Sequence, residues 1–292
     1  MGRKPATVHG MVLVDKPTGV TSHDVVDQLR KRFGERRIGH AGTLDPDATG
    51  LLVVGVGKAT RLLRFATASF KTYEVEIVLG IETDTLDSSG QVVAEHRMSP
   101  EPTEVVEAAS ALTGTIEQIP PMVSARRIGG RRLHELAREG IEVDREARSV
   151  QIRKFDIRPT DDPMIWRAVV DCSAGTYIRT LGADLGIALE GGAHIRNLRR
   201  TKSGGFGIRE CDKISEATLR PVLELVRDLD RVVLTDQEMS VVRNGGRLVN
   251  ERTEGVGPWA LTDSSSNLIA VHEKVDGQVV VGVVLPLSLI HI

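Results

Sequence analysis

The stretch Gly39-His40-Ala41-Gly42-Thr43-Leu44-Asp45-Pro46-Asp47-Ala48-Thr49-Gly50 decides how the rest of the chain is read. Its glycines let the backbone turn sharply and approach another molecule closely. Pro46 biases Asp45 away from helical geometry, which holds the carboxylate on an extended loop. Alone, the same residues also fit a tight turn in which Asp45 makes a local hydrogen bond. Upstream, Met11-Val12-Leu13-Val14 reads as a buried strand, stopped by the turn Asp15-Lys16-Pro17-Thr18-Gly19. Thr21 and Asp24 have capping-box spacing, and Val25, Val26, Leu29 and Phe33 recur at helical intervals. That predicts a first helix whose far end carries Arg30, Lys31, Arg32, Arg36 and Arg37. Downstream of the loop, a strand over 51–56, a helix over 59–66 and a strand over 73–79 are expected.

Further on, helices are expected over 104–112 and 177–189, and strands over 150–157 and 166–172. Strands and helices mix without a regular βαβ period, which predicts an α+β fold: a mixed, largely antiparallel sheet with helices against it. From about residue 233 the texture changes to short β-like runs (259–262, 268–272, 279–285) separated by Gly, Asn and Asp turns, as in a small all-β unit. A chain of 292 residues accommodates one large and one small domain. A formal net charge of -2 argues against a polybasic DNA binder but leaves room for a local basic face. Two cysteines, Cys172 and Cys211, cannot build a disulfide framework or a four-sulfur zinc site. The longest apolar runs are strand-sized, so neither a membrane span nor a signal peptide is expected, and the expected location is the cytoplasm. No role is assigned to the apolar tail over 287–292.

The loop 39–50 resembles the catalytic motif of the TruB family, the bacterial tRNA pseudouridine-55 synthases. The similarity continues in order through Val14-Asp15-Lys16-Pro17, Lys71-Thr72-Tyr73, Thr83-Asp84-Thr85-Leu86-Asp87 and Gln118-Ile119-Pro120-Pro121 with Ser124-Ala125. It then reaches Gly175-Thr176-Tyr177-Ile178-Arg179-Thr180-Leu181 and Ala193-His194-Ile195-Arg196-Asn197-Leu198-Arg199-Arg200. The resemblance implies an isomerase that converts the T-loop uridine at position 55 of tRNA to pseudouridine, flipping the base out of the RNA to reach it. Such a reaction breaks the bond from ribose C1′ to uracil N1, turns the base and rejoins it through C5. Substrate and product are isomers, so no redox cofactor is required, and no metal is expected because His40 lacks ligand-spaced neighbours.

The resemblance also implies site residues. Asp45 falls on the family's essential aspartate, acting on C1′, on C6 of the base, or through a glycal. Arg179 falls on its arginine partner, expected to keep the carboxylate ionised and oriented. Tyr73 and Tyr177, the chain's two tyrosines, fall on residues that stack on the base and line its pocket, Tyr73 also assisting proton removal from C5. Leu198 falls on the residue that closes over uracil, and His40 on the one that fills the place of the flipped base. Thr83-Asp84-Thr85-Leu86-Asp87 reads as a structural turn rather than a magnesium site, since no triphosphate loop accompanies it.

Residues 124–149 match the family's inserted RNA-gripping arm, with Arg126, Arg127, Arg131 and Arg132 as phosphate contacts. The C-terminal unit resembles a PUA-like RNA-binding module, with residues 240–248 and Asp276-Gly277 at its glycine turns. The catalytic domain is expected over 1–228 and this module over 229–292. The expected partner is the tRNA T stem-loop; no protein partner is implied, and a monomer is expected. Three rivals remain: a tRNA-folding factor, a guide-RNA-dependent relative, and a glycoside or nucleoside hydrolase. The last would need a second carboxylate to activate water, and none is apparent in the matched blocks.

Overall fold

The first strand, β1 (Gly10–Lys16), is buried on both faces, which is why it reads as an unbroken apolar run rather than an alternating one. The computed structural model of the protein describes residues 7–124, 127, 128, 130–133, 136, 139–141, 143–248 and 252–285. The helix α1 (Ser22–Phe33) starts at the expected capping box of Thr21 and Asp24 and ends at Gly34, whose φ of 62° suits glycine. Val25, Val26 and Leu29 of α1 pack on Val12 and Val14 of β1 and on Leu52 and Val54 of β3 (Thr49–Val56). The expected loop over 39–50 begins as a strand, β2 (Ile38–Ala41), which pairs with β3 from Ile38↔Val56 to Ala41↔Val53. Only its middle is free to serve as a loop. A short 3-10 turn, Gly57–Leu62, runs into α2 (Leu63–Thr67), where a single helix is expected.

In β4 (Lys71–Leu79) Lys71, Tyr73, Val75 and Ile77 alternate inward. A hairpin of β5 (Ile81–Thr83) and β6 (Val92–Glu95) follows, then α3 (Pro102–Ala111) and β7 (Gly114–Gln118). Within the arm, β8 (Arg127–Ile128) and β9 (Arg131–Arg132) form a minimal hairpin. The strands β10 (Arg148–Pro159) and β11 (Ile165–Cys172), helix α4 (Ile178–Ala188), β12 (Ala193–Ser203) and β13 (Phe206–Gly207) complete the larger part. The main sheet has the order β1-β3-β12-β4-β11-β10-β7, with β2 on β3 and β13 on β12. Its pairings are antiparallel except β3 with β12, joined by two residue pairs, Thr49↔Arg199 and Gly50↔Arg200. On one face α3 and α4 cover a core that includes Tyr73, Val75, Ile77, Trp166, Leu181 and Leu185.

The C-terminal part orders its strands β14 (Asp230–Val233), β15 (Trp259–Thr262), β16 (Leu268–Val275) and β17 (Gln278–Val284). A helix, α5 (Asp236–Arg243), accompanies the expected strands; a Thr235–Glu238 capping box starts it, and Val242 enters the core with Trp259 and Leu261. The expected turn at Asp276-Gly277 joins β16 to β17, both residues at positive φ (50° and 76°), as a two-residue hairpin favours. Ala260, Leu268, Val271 and Val283 form one further core with Met11, Leu13, Leu51 and Val53 of the main sheet. Among the described residues no helix is long and apolar enough to cross a membrane.

Gly50 sits where β3 turns alongside β12. Its φ is +106°, and a Cβ there would lie 2.3 Å from the Arg200 carbonyl oxygen and 2.8 Å from the Arg200 nitrogen. Gly175 has a φ of +88° but open space around a Cβ. Gly50→Ala combines backbone strain with overpacking and should lower stability by about 3 kcal/mol or more. Gly175→Ala should cost only about 1 kcal/mol. Urea midpoints of the two variants measure this, and equal losses would contradict the close approach of β3 to β12.

Candidate active site

The middle of the loop is pinned from beneath. Ser22 Oγ, buried at the start of α1, donates to the Leu44 carbonyl (3.1 Å) and accepts from the Leu44 N–H (2.9 Å). Lys16, fully buried at the end of β1, donates to the carbonyls of Pro46 (3.0 Å), Pro17 (2.9 Å) and Val20 (2.6 Å). Burial pushes its ammonium pKa down to about 8, against the upward pull of Asp45 and Asp47. Gly19 N–H donates to the same Pro46 carbonyl (3.0 Å). The β1–α1 turn and the loop are therefore one unit, with the Asp45 side chain projecting from it.

Arg179 meets that side chain from the first turn of α4. Gln118 brackets the preceding residue, accepting from Tyr177 N–H (3.0 Å) and donating to Tyr177 C=O (3.3 Å), which sets where the helix begins. The Arg179 side chain is only 4% exposed. Its Nε lies 3.0 Å from Asp45 Oδ2 and 3.6 Å from Asp87 Oδ2. Nη1 donates to the Thr85 carbonyl (2.9 Å) and Nη2 to the Val123 carbonyl (2.7 Å). Asp87 is itself held: its Oδ1 accepts from Thr85 Oγ1 (2.7 Å), Ser89 Oγ (2.5 Å) and Ser89 N–H (3.1 Å). The segment 83–87 is thus a turn built around Arg179, bent at Leu86, whose φ is 63°. Contrary to the expectation that the matched blocks hold no second carboxylate, Asp87 stands inside one of them, near Asp45 across the shared guanidinium. With Oδ1 taking three donors and Oδ2 shared with the guanidinium, Asp87 is poorly placed to activate water as a hydrolase requires.

Asp45 keeps 40% of its side-chain surface open to the cleft, while the surrounding protein still strips much of its solvation. Burial pushes its pKa above the ordinary carboxylate value; Arg179 opposes this and Asp87 adds to it. The expectation that the guanidinium simply favours the ionised form therefore captures one of two competing effects.

Around Asp45 lies a cleft of about 260 Å³ lined by Tyr73, Tyr177, Leu198, Lys71 and Arg200. Leu198 reaches it from an irregularity in β12. Against β4, Arg196 pairs with Glu76 and Arg199 with Glu74, so one extra residue is inserted, and Asn197 adopts a φ of 55°. A second cleft of about 290 Å³ shares Asp45, Arg179 and Leu198 and extends toward Ser88, Ser89 and Asn197. The structure thus brings Asp45, Arg179, Tyr73, Tyr177 and Leu198 together. His40 stands apart on β2, lining neither cleft; burial and Arg200 lower its pKa. In the arm, Arg131 pairs with Glu139 at 2.5 Å, and Leu133 and Leu136 are buried. Arg126 and the side chains of Arg127 and Arg132 lie outside the described residues. Among the described residues no group of His, Cys, Asp or Glu could hold a metal ion.

Sequence reasoning missed Asp87, Lys71 and Arg200. The alternation of β4 could have revealed Lys71, because it shares the inward face of Tyr73, Val75 and Ile77. Arg200 was not accessible this way, since two register shifts break the alternation of β12.

Carboxyl-detected NMR titration should find Asp45 losing its proton above the ordinary value of 3.8. Arg179→Gln removes the downward pull while leaving Asp87 in place, so the Asp45 midpoint should rise further. A midpoint at or below 3.8, or a fall in the variant, would contradict this balance.

Comparison with known proteins agrees with the geometry. Residues 30–178 match the N-terminal domain of TruB family pseudouridylate synthases, and residues 179–237 the tRNA pseudouridylate synthase B C-terminal domain. The tRNA pseudouridine synthase B of Mycobacterium tuberculosis is 42% identical over 276 residues, covering 91% of this chain and 92% of that protein. That of Mycobacterium ulcerans is 43% identical over 275 residues, covering 90% of each. A chain in the crystal structure of a Cbf5-Nop10-Gar1 complex has a TM-score of 0.72 at 22% identity, over 95% of this chain and 84% of that one. A chain in an H/ACA RNP bound to a substrate RNA containing 2′-deoxyuridine has a TM-score of 0.70 at 21% identity, over the same 95% and 84%. These structural likenesses establish the α+β pseudouridine synthase fold. With the family match and the close relatives, they lead to one assignment: the chain belongs to the TruB family of pseudouridylate synthases and is an isomerase.

Proposed function

We propose that this isomerase converts the uridine at position 55, in the T loop of tRNA, to pseudouridine. The observation that carries the proposal is the Asp45 carboxylate, bonded to a buried arginine at a cleft flanked by the chain's two tyrosines. That arrangement suits a flipped base, which needs a catalytic carboxylate beside its sugar and an aromatic face to stack on. The names of the mycobacterial relatives support tRNA as the substrate.

In this proposal Asp45 acts on the ribose side of the glycosidic bond. Arg179 is a positioning residue that fixes the carboxylate. Burial raises the Tyr73 pKa, so its phenol stays neutral and serves as a stacking surface. Tyr177 and Leu198 close over the base, and His40 fills the gap that the base leaves in the loop. Arg126, Arg127, Arg131 and Arg132 grip phosphates from the arm. Residues 1–228 form the catalytic domain, and 229–292 a PUA-like unit that adds RNA contacts. The protein works as a monomer in the cytoplasm, without a metal or cofactor.

Purified protein incubated with an unmodified T-arm hairpin should form pseudouridine at position 55, mapped by chemical adduct and primer extension. Asp45→Asn should retain less than a few per cent of the turnover while binding the hairpin within about tenfold, or ~1.4 kcal/mol. Wild-type protein that leaves the hairpin unmodified would remove the T loop as substrate. Substantial turnover by Asp45→Asn would remove the carboxylate from its role.

The arm gives a separate test. Arg131→Ala with Arg132→Ala should flatten the dependence of log affinity on log salt by about one to two units, because each lost phosphate contact removes roughly 0.7–0.9. It should weaken different tRNAs alike, since phosphates carry no sequence information. An unchanged slope would show that these arginines hold no phosphate.

A further inference from the structure

The cations that line the cleft of Asp45 differ in their partners. Arg179 lies beside the carboxylates of Asp45 and Asp87. Lys71 and Arg200 are 6% and 1% exposed. Neither forms an ion pair with any described residue. Lys71 Nζ donates to the carbonyls of Thr67 (2.9 Å) and Ser69 (2.7 Å). Arg200 donates from Nε to the Leu51 carbonyl (2.7 Å) and from Nη2 to that of Gly42 (3.1 Å). They sit on adjacent strands, where Lys71 pairs in register with Ser203 and Arg200 with Tyr73. They also converge: a Cβ on Gly42 would lie 3.4 Å from Lys71 Cε and 3.5 Å from Arg200 Nη1.

A buried cation without a carboxylate is unfavourable, and two side by side are more so, because carbonyl partners offset only part of the lost hydration. Like Lys16, each ties backbone carbonyls together, but Lys71 and Arg200 do so at the lining of the cleft, where an occupant that becomes negative during the reaction would meet both charges. We infer that Lys71 and Arg200 stabilise the negative charge that the uracil ring acquires when its bond to ribose breaks. The inference rests on the proposed function and adds a catalytic role to two residues outside the Asp45–Arg179 pair.

The electrons balance as follows. When C1′–N1 breaks, its electron pair leaves with the ring and spreads over N1, O2 and O4, while an Asp45 oxygen bonds to C1′. When C5 then bonds to C1′ with a ring electron pair, the C1′–Asp45 bond breaks and its pair returns to the carboxylate. The C5 proton leaves to solvent and N1 takes one from solvent. Composition is unchanged, as an isomerisation demands. Fixed cations in a site poor in water favour the charged intermediate without reorganising to do so. Burial lowers the Lys71 pKa to about 8, with Arg200 pushing the same way and Cys172 opposing. Lys71 therefore carries its charge near neutrality and loses it as the pH rises past that value.

The test compares single-turnover rates of C1′–N1 cleavage below neutrality on T-arm hairpins carrying uridine or 5-fluorouridine at the target position. The fluorinated ring has no C5 proton to lose, so loss of the starting nucleoside is followed rather than pseudouridine formation. Fluorine makes the ring a better leaving anion, so its departure depends less on the protein. Lys71→Met should slow uridine on the order of 100-fold and 5-fluorouridine far less, whereas Lys71→Arg, which keeps the charge, should stay within about tenfold of wild type on uridine. Equal losses on the two substrates would overturn the inference. If Lys71→Met does not fold, the alkaline limb decides. Wild-type turnover of uridine should fall as the pH passes about 8, and Lys71→Arg should move that fall upward; an unmoved limb overturns the inference. Wild-type protein that makes no pseudouridine counts instead against the T-loop substrate, and the inference falls with it.

Discussion

The site depends on one buried guanidinium. Arg179 has few ways to satisfy its donors away from water, and it uses them on Asp45, Asp87 and the carbonyls of Thr85 and Val123. Those groups come from the loop between β2 and β3, the turn after β5 and the segment after β7. Without Asp45, the arginine would still be held by Asp87 and two carbonyls, so its place does not depend on the Asp45 bond alone. The arrangement joins a half-exposed carboxylate to a partner fixed on several sides.

The scaffold supplies the aiming through its least regular strand. β12 joins the two halves of the sheet, parallel to β3 on one side and antiparallel to β4 on the other, and it shifts register twice against β4. The first shift places Leu198 at the cleft, and the second follows Arg200. Irregularity in a central strand costs ladder hydrogen bonds, and here it falls where Leu198 and Arg200 line the cleft. Lys16 and Ser22 do the matching work on the other side by tying the loop to the β1–α1 turn.

Much of this was legible in the chain. The apolar run of β1, the capping box of α1 and the strands of the C-terminal sheet follow from local chemistry and fall close to where the residues predict them. The nearness of Asp45 and Arg179 was accessible only through family resemblance, because 134 positions separate them (179 minus 45) and no local pattern spans that distance. The start of the catalytic loop was misread because Ile38–Ala41 is a strand only by virtue of its partner, β3. Asp87 escaped for a related reason. Its block looked like an isolated acidic turn, and its meaning lies in the cation it faces. Local propensity records what a segment prefers, and the site is made of what segments do to each other.

The core shared by the main sheet and the C-terminal part has a consequence for how the molecule comes apart. Ala260, Leu268, Val271 and Val283 cover the face of β1 and β3 formed by Met11, Leu13, Leu51 and Val53. Arg61 adds a bond to the Val284 carbonyl at 2.8 Å, and Arg64 pairs with Glu273. A shared apolar boundary couples the melting of the two parts, since exposing either one exposes the other. The strands that anchor the catalytic loop thus draw part of their stability from the far end of the chain, and a truncation there weakens the support beneath Asp45 without removing any residue of the cleft.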